Sequence, residues 1–130
     1  MQHSDHGEDD RVVYGVSSMQ GWRISMEDAH ACLLDLRPDA SNAANGTTTL
    51  PSDKRIRFFG VYDGHGGDKV ALFAGEHLHT IISKQEAFKN GDMEKAIKDG
   101  FLATDRAILS GLCPSFSFRF FFMFRPKDAY

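Results

Sequence analysis

The run FFGVYDGHGG at residues 58–67 ends an apolar stretch on an acid and a histidine set among Gly64, Gly66 and Gly67. A glycine side chain is a single hydrogen, so Asp63 and His65 carry the only side-chain chemistry after Tyr62. Glycines in such a run suit a backbone that something must approach closely. An acid at the end of a buried strand is costly unless something pairs with it. Taken alone, Asp63 reads first as a turn residue, because Asp-Gly is a common turn dipeptide.

A second acidic pair, Glu27 and Asp28 in the stretch RISMED, shifts that balance. Carboxylates brought together repel and raise one another's pKa unless a cation lies between them. Oxygen donors without thiolates or an ordered histidine set favour the hard ions Mg²⁺ or Mn²⁺. The Gly64 carbonyl, unshielded by a side chain, is a further oxygen donor. Arg23 lies four residues before Glu27, so in a regular strand the two share a face about 13 Å apart. An arginine near such a cluster suits a phosphate, which it grips bidentately. Asp28 has the opposite parity and faces away unless the strand begins after it. His77 and His79 are two apart, do not share a helix face, and are expected at the surface. His30 takes no assignment.

The elements that must position these groups follow from pattern. Residues 1–10 are polar and are expected as a disordered lead. Residues 12–16 are β-branched and aromatic, a strand composition, and 23–36 form a second strand candidate. Residues 37–55 are dense in Pro, Asn, Ser, Gly and Thr and read as a surface loop. Residues 56–62 are nearly all apolar, which predicts a strand buried on both faces. Val70, Ala74, Leu78, Ile81 and Ile82 recur at helical spacing, giving an amphipathic helix over 68–83. Asp92 is placed to cap a second helix, with Met93, Ala96, Ile97, Phe101, Thr104, Ile108 and Leu109 as its apolar stripe. Strands followed by helices without βαβ alternation indicate an α+β fold. Residues 111–130 differ from everything before them: six of the chain's 11 phenylalanines fall between positions 116 and 124.

Length and charge bound the rest. The chain has 130 residues and a formal net charge of −3, enough for one domain and without the basic footprint of a nucleic-acid binder. No apolar run approaches the ~20 residues of a membrane span. Two cysteines, Cys32 and Cys113, are too few for a disulfide framework. The acidic, polar N-terminus lacks the apolar core of a secretory signal, so a cytoplasmic or nuclear monomer is expected.

RISMED (23–28) and FFGVYDGHGG (58–67) together resemble the two N-terminal motifs of the metal-dependent, type 2C serine/threonine protein phosphatases. YGVSSMQGWRISMEDAH and KDGFLATDRAIL are also similar to that family, close to its fungal members, from about Tyr14 to Leu109. The resemblance implies a four-layer α/β/β/α sandwich, two antiparallel sheets flanked by helices, of which residues 11–110 are the N-terminal part. It implies phosphoserine and phosphothreonine proteins as substrates, and two Mn²⁺ or Mg²⁺ ions that activate a water. By the same resemblance Asp63 bridges the ions and Gly64 offers its carbonyl. Glu27 holds the second ion, Asp28 supports that shell, Arg23 binds the substrate phosphate and His65 is the general acid. The family's remaining metal-ligand aspartates belong to later motifs that residues 111–130 do not supply. The alternative expectation is therefore a truncated, catalytically inactive fragment acting at most as a binding module.

Overall fold

The computed structural model describes residues 2–36 and 55–111, which form four strands and three helices. Strands β1 (Gln2–Glu8) and β2 (Val13–Met19) pair antiparallel from Gln2 opposite Met19 to Glu8 opposite Val13. The first ten residues, expected as a disordered lead, are thus largely a strand. Their pairing does not depend on an apolar face, which is why composition missed it. The turn is organised by Asp9, whose Oδ1 accepts hydrogen bonds from the backbone N–H groups of Arg11 (2.9 Å) and Val12 (2.8 Å). Arg57 donates to Asp9 Oδ2 from Nε (3.0 Å) and Nη2 (2.6 Å), tying the hairpin to the chain that enters the next sheet.

That sheet consists of β3 (Ala29–Leu33) and β4 (Phe58–Tyr62), antiparallel from Ala29 opposite Tyr62 to Leu33 opposite Phe58. Residues 23–28, expected as part of a strand over 23–36, instead run as bends and loop before it. Gly21 turns the chain there at φ 66°, a conformation glycine adopts without penalty. The expectation that β4 is buried on both faces also fails among the described residues, since Phe59 is 47% and Val61 82% exposed. The face of Phe58 and Tyr62 is the one packed against the helices.

Helix α1 (Lys69–Ser83) lies across both strands, and α3 (Met93–Leu109) packs beside it after the single turn α2 (Glu86–Lys89). The core is small: Leu78 and Ile82 of α1, Ala87 of α2 and Ala96 of α3, with Phe58, Tyr62 and Phe88 against them. Asp92 caps α3 as expected, its side chain accepting from the Lys95 N–H at 3.1 Å. The buried stripe of α3 is narrower than its apolar residues suggest. Ala96, Gly100 and Thr104 are buried, whereas Ile97, Phe101 and Leu109 are exposed. Gly100 explains the choice, because the α1 backbone comes so near that a Cβ there would lie 3.1 Å from the Ile82 Cα.

The hairpin faces the other side of the β3–β4 sheet. Tyr14 meets Phe59 edge-on at 5.4 Å, and His3 meets His30 at 5.3 Å. Between the two sheets lies an open cleft of about 250 Å³, lined by Tyr14, Val16, His30, Cys32, Phe59 and Val61 among others. Helices, sheet and second sheet are the α+β layering expected from the sequence. No described helix is long and apolar enough to cross a membrane. Most of the loop at 37–55, together with Cys113 and the phenylalanine-rich residues, lies outside the described residues.

Candidate functional site

The register of β3 and β4 decides which chemistry-bearing residues meet. Ala29 is the first residue of β3 and Tyr62, its partner, the last of β4. The chain therefore enters β3 through Glu27 and Asp28 at the same end of the ladder where it leaves β4 through Asp63 and Gly64. The strand begins after Asp28, so the opposite parity of the two acids, which would separate them on a strand, does not apply. Both approach the 63–65 turn from the loop.

Contacts hold this end together. The Gly64 N–H is 3.4 Å from Asp28 Oδ1. Gly64 also rests directly on the backbone of Glu27: a Cβ at position 64 would overlap the Glu27 carbonyl oxygen and lie 2.8 Å from its carbonyl carbon. Gly66 (φ 76°) and Gly67 (φ 131°) then carry the backbone through conformations that L side chains rarely adopt, and the chain enters α1. The three glycines thus have two purposes, close approach at 64 and reversal at 66 and 67. Glu27 is half-buried and accepts from Ser25 Oγ at 3.2 Å, while Asp28, Asp63 and His65 are exposed.

Arg23 lies further back on the loop. Its carbonyl accepts from Gln20 Nε2 at 2.8 Å, and its exposed guanidinium has no hydrogen bond or ion pair among the described residues. The loop also presents Trp22 and Ile24 fully to solvent, at 98% and 102% exposure. The signals for this loop were present in the sequence, in Gly21 and in two adjacent acids that no half-buried strand would accommodate. The Asp9–Arg57 pair, which anchors the hairpin, left no comparable signal because its partners are 48 residues apart.

Glu27, Asp28, Asp63 and the Gly64 carbonyl are all oxygen donors, a chemistry that fits a hard divalent cation. Their number is smaller than a complete site requires. Among the described residues no group of three or more His, Cys, Asp or Glu is gathered closely enough to hold a metal ion. The turn therefore fits as a share of such a site.

Comparison with known proteins supplies the context. The family described as Protein phosphatase 2C matches residues 12–115. The chain is similar to Protein phosphatase 2C homolog 2 of Aspergillus fumigatus, 64% identical over 106 residues that cover 82% of this chain and 24% of that protein. It is similar to Protein phosphatase 2C homolog 2 of Schizosaccharomyces pombe, 48% identical over 108 residues, 83% of this chain and 26% of that one. A more distant likeness is to Protein phosphatase 1G of Rattus norvegicus, 46% identical over 94 residues, 72% of this chain and 14% of that protein. The chain thus spans about a quarter of the length of the fungal relatives it matches.

Proposed function

This chain belongs to the protein phosphatase 2C family, and on that premise we propose that it carries the opening part of the active site of a metal-dependent protein-serine/threonine phosphatase. The observation that supports this reading is the seating of Gly64 on Glu27. It sets Glu27, Asp28 and Asp63 about one end of the β3–β4 ladder, where further oxygen donors would complete a site for a hard cation.

In this reading Asp63, the Gly64 carbonyl and Glu27 hold Mn²⁺ or Mg²⁺, with Asp28 steadying the Gly64 N–H. When bound, such ions neutralise phosphoryl oxygens and acidify a water for attack on phosphorus. Arg23, exposed on its loop, receives the substrate phosphate through its guanidinium fork. His65 gives a proton to the seryl or threonyl oxygen as it leaves, a task that demands an exposed position next to the metal-holding acid. The substrates are phosphoproteins.

The test is a hybrid in which residues 12–109 replace the matching segment of the Aspergillus fumigatus relative. Release of phosphate from a phosphoserine peptide that requires Mn²⁺ or Mg²⁺ and is lost on chelation is the expected result. A folded hybrid that binds the peptide without turnover would refute the enzymatic reading. The second reading, an inactive binding module, is favoured by the fact that no three of the described His, Cys, Asp or Glu residues are gathered closely enough to hold a metal ion.

A further inference from the structure

Helix α1 carries His79 on the side turned toward β4. Its ring lies 6.1 Å from that of Phe58, tilted by 48°. The side chain is half-buried, and its Nδ1 is closed off from water without a hydrogen-bond partner. A neutral imidazole tolerates this setting, because one ring nitrogen carries no proton and the ring packs as an aromatic. A protonated imidazole must donate from both nitrogens, and at the buried Nδ1 even the nearby Gly75 carbonyl makes no well-formed hydrogen bond.

The Gly75 carbonyl one turn earlier favours a charged His79, but no carboxylate forms an ion pair with it among the described residues. On α1 the nearby ionisable group is His77, itself a potential cation, whose Nε2 lies 3.8 Å from the exposed Glu76 carboxylate. From β4 the facing residues are Phe58 and Tyr62, and Phe58 pairs with Leu33 of β3. The titratable residues of β3, His30 and Cys32, line the cleft on the other face of the sheet. On α3 Lys95 pairs with Asp99 and Lys98 with Glu94, Asp105 and Arg106 are exposed, and on α2 Lys89 pairs with Glu86.

We propose that His79 makes the docking of α1 on β4 acid-labile, the imidazole acting as a latch that protonation opens. Burial holds its pKa below the ordinary 6.5; the Gly75 carbonyl one turn earlier offsets part of this, and His77 adds to it. A folded-state pKa below the unfolded one means that the unfolded chain binds more protons in that window. The contribution of His79 is therefore complete above the ordinary histidine pKa and is lost as pH falls below it. Because β4 leads directly into Asp63 and Gly64, an opened latch frees the strand that delivers the candidate site.

Two measurements on the 130-residue chain test this. The first follows the His79 ring by NMR through a pH titration and is expected to show it titrating below the ordinary histidine value. The second compares urea midpoints near pH 7.5 and near pH 5.5 for the wild type and His79→Gln. The wild-type midpoint should drop at the lower pH, and the variant's should drop less. Equal drops, or a ring that titrates at or above the ordinary value, would overturn the proposal. If His79→Gln fails to fold, the ring titration of the wild type decides alone.

Discussion

A methyl group at position 64 has nowhere to go. It would overlap the Glu27 carbonyl, so Gly64→Ala must push the 63–65 turn away from the loop that carries the other acids. In the fungal hybrid this substitution is expected to lower turnover by about a hundredfold, the scale set by ångström-level misplacement of catalytic groups, while the circular dichroism spectrum is retained. Unchanged turnover would show that the contact with Glu27 does not position the site. His65 makes a different prediction. A general acid matters least when the leaving group is already stable, so His65→Gln should slow phosphoserine-peptide hydrolysis by about 10²-fold and p-nitrophenyl phosphate hydrolysis far less. Equal losses on the two substrates would remove His65 from that role. At this scale the sequence was informative, because an acid and a histidine among glycines mark a spot where the backbone must be approached. It could not show which group approaches, since Gly64 meets the backbone of Glu27, 37 positions earlier, only once β3 and β4 are in register.

Between the elements, packing selects what periodicity leaves ambiguous. Both Ile97–Phe101 and Ala96–Gly100–Thr104 lie at helical spacing, and α3 buries the second set because small residues let it approach Ile82 of α1. Gly100→Ala is therefore expected to lower the unfolding free energy by about 1–3 kcal/mol, the cost of overpacking, despite the better helix propensity of alanine. A gain in the urea midpoint would contradict that packing. The hairpin offers a second test. Burial alone would raise the Asp9 carboxyl. The Arg11 and Val12 N–H groups and the Arg57 guanidinium outweigh this and hold it below its ordinary value. The stabilisation is thus present above the ordinary carboxylate pKa and lost as pH falls through the depressed one. Amide exchange in β1 and β2, corrected for intrinsic rates, should accelerate at acid pH and in Asp9→Asn at neutral pH; protection equal to wild type in the variant would show that the Asp9 contacts do not hold the hairpin. Polar residues 2–8 hid this strand, since its pairing is made by the backbone and its turn by one aspartate.

Across the whole molecule, the described residues leave much apolar surface open: Trp22, Ile24, Val61 and Phe101 are all exposed. They lie on the loop beside the site, the cleft-lining face of β4 and α3. Such surface accords with a region that spans about a quarter of its fungal relatives, and among the described residues no group of three or more His, Cys, Asp or Glu is gathered closely enough to hold a metal ion. Calorimetric titration of the 130-residue chain with Mn²⁺ should accordingly show no micromolar two-ion binding, because mutual repulsion of the ions goes uncompensated; such binding would mean that the site needs fewer acids than argued. The central claim, that Asp63 holds the metal of a phosphatase site, is tested most directly by Asp63→Asn in the fungal hybrid, with Mn²⁺-dependent release of phosphate from a phosphoserine peptide as the readout. An amide keeps the size of the carboxylate and loses its charge, so the expected result is a folded hybrid with turnover at background. Turnover within a few-fold of the unsubstituted hybrid would contradict the assignment.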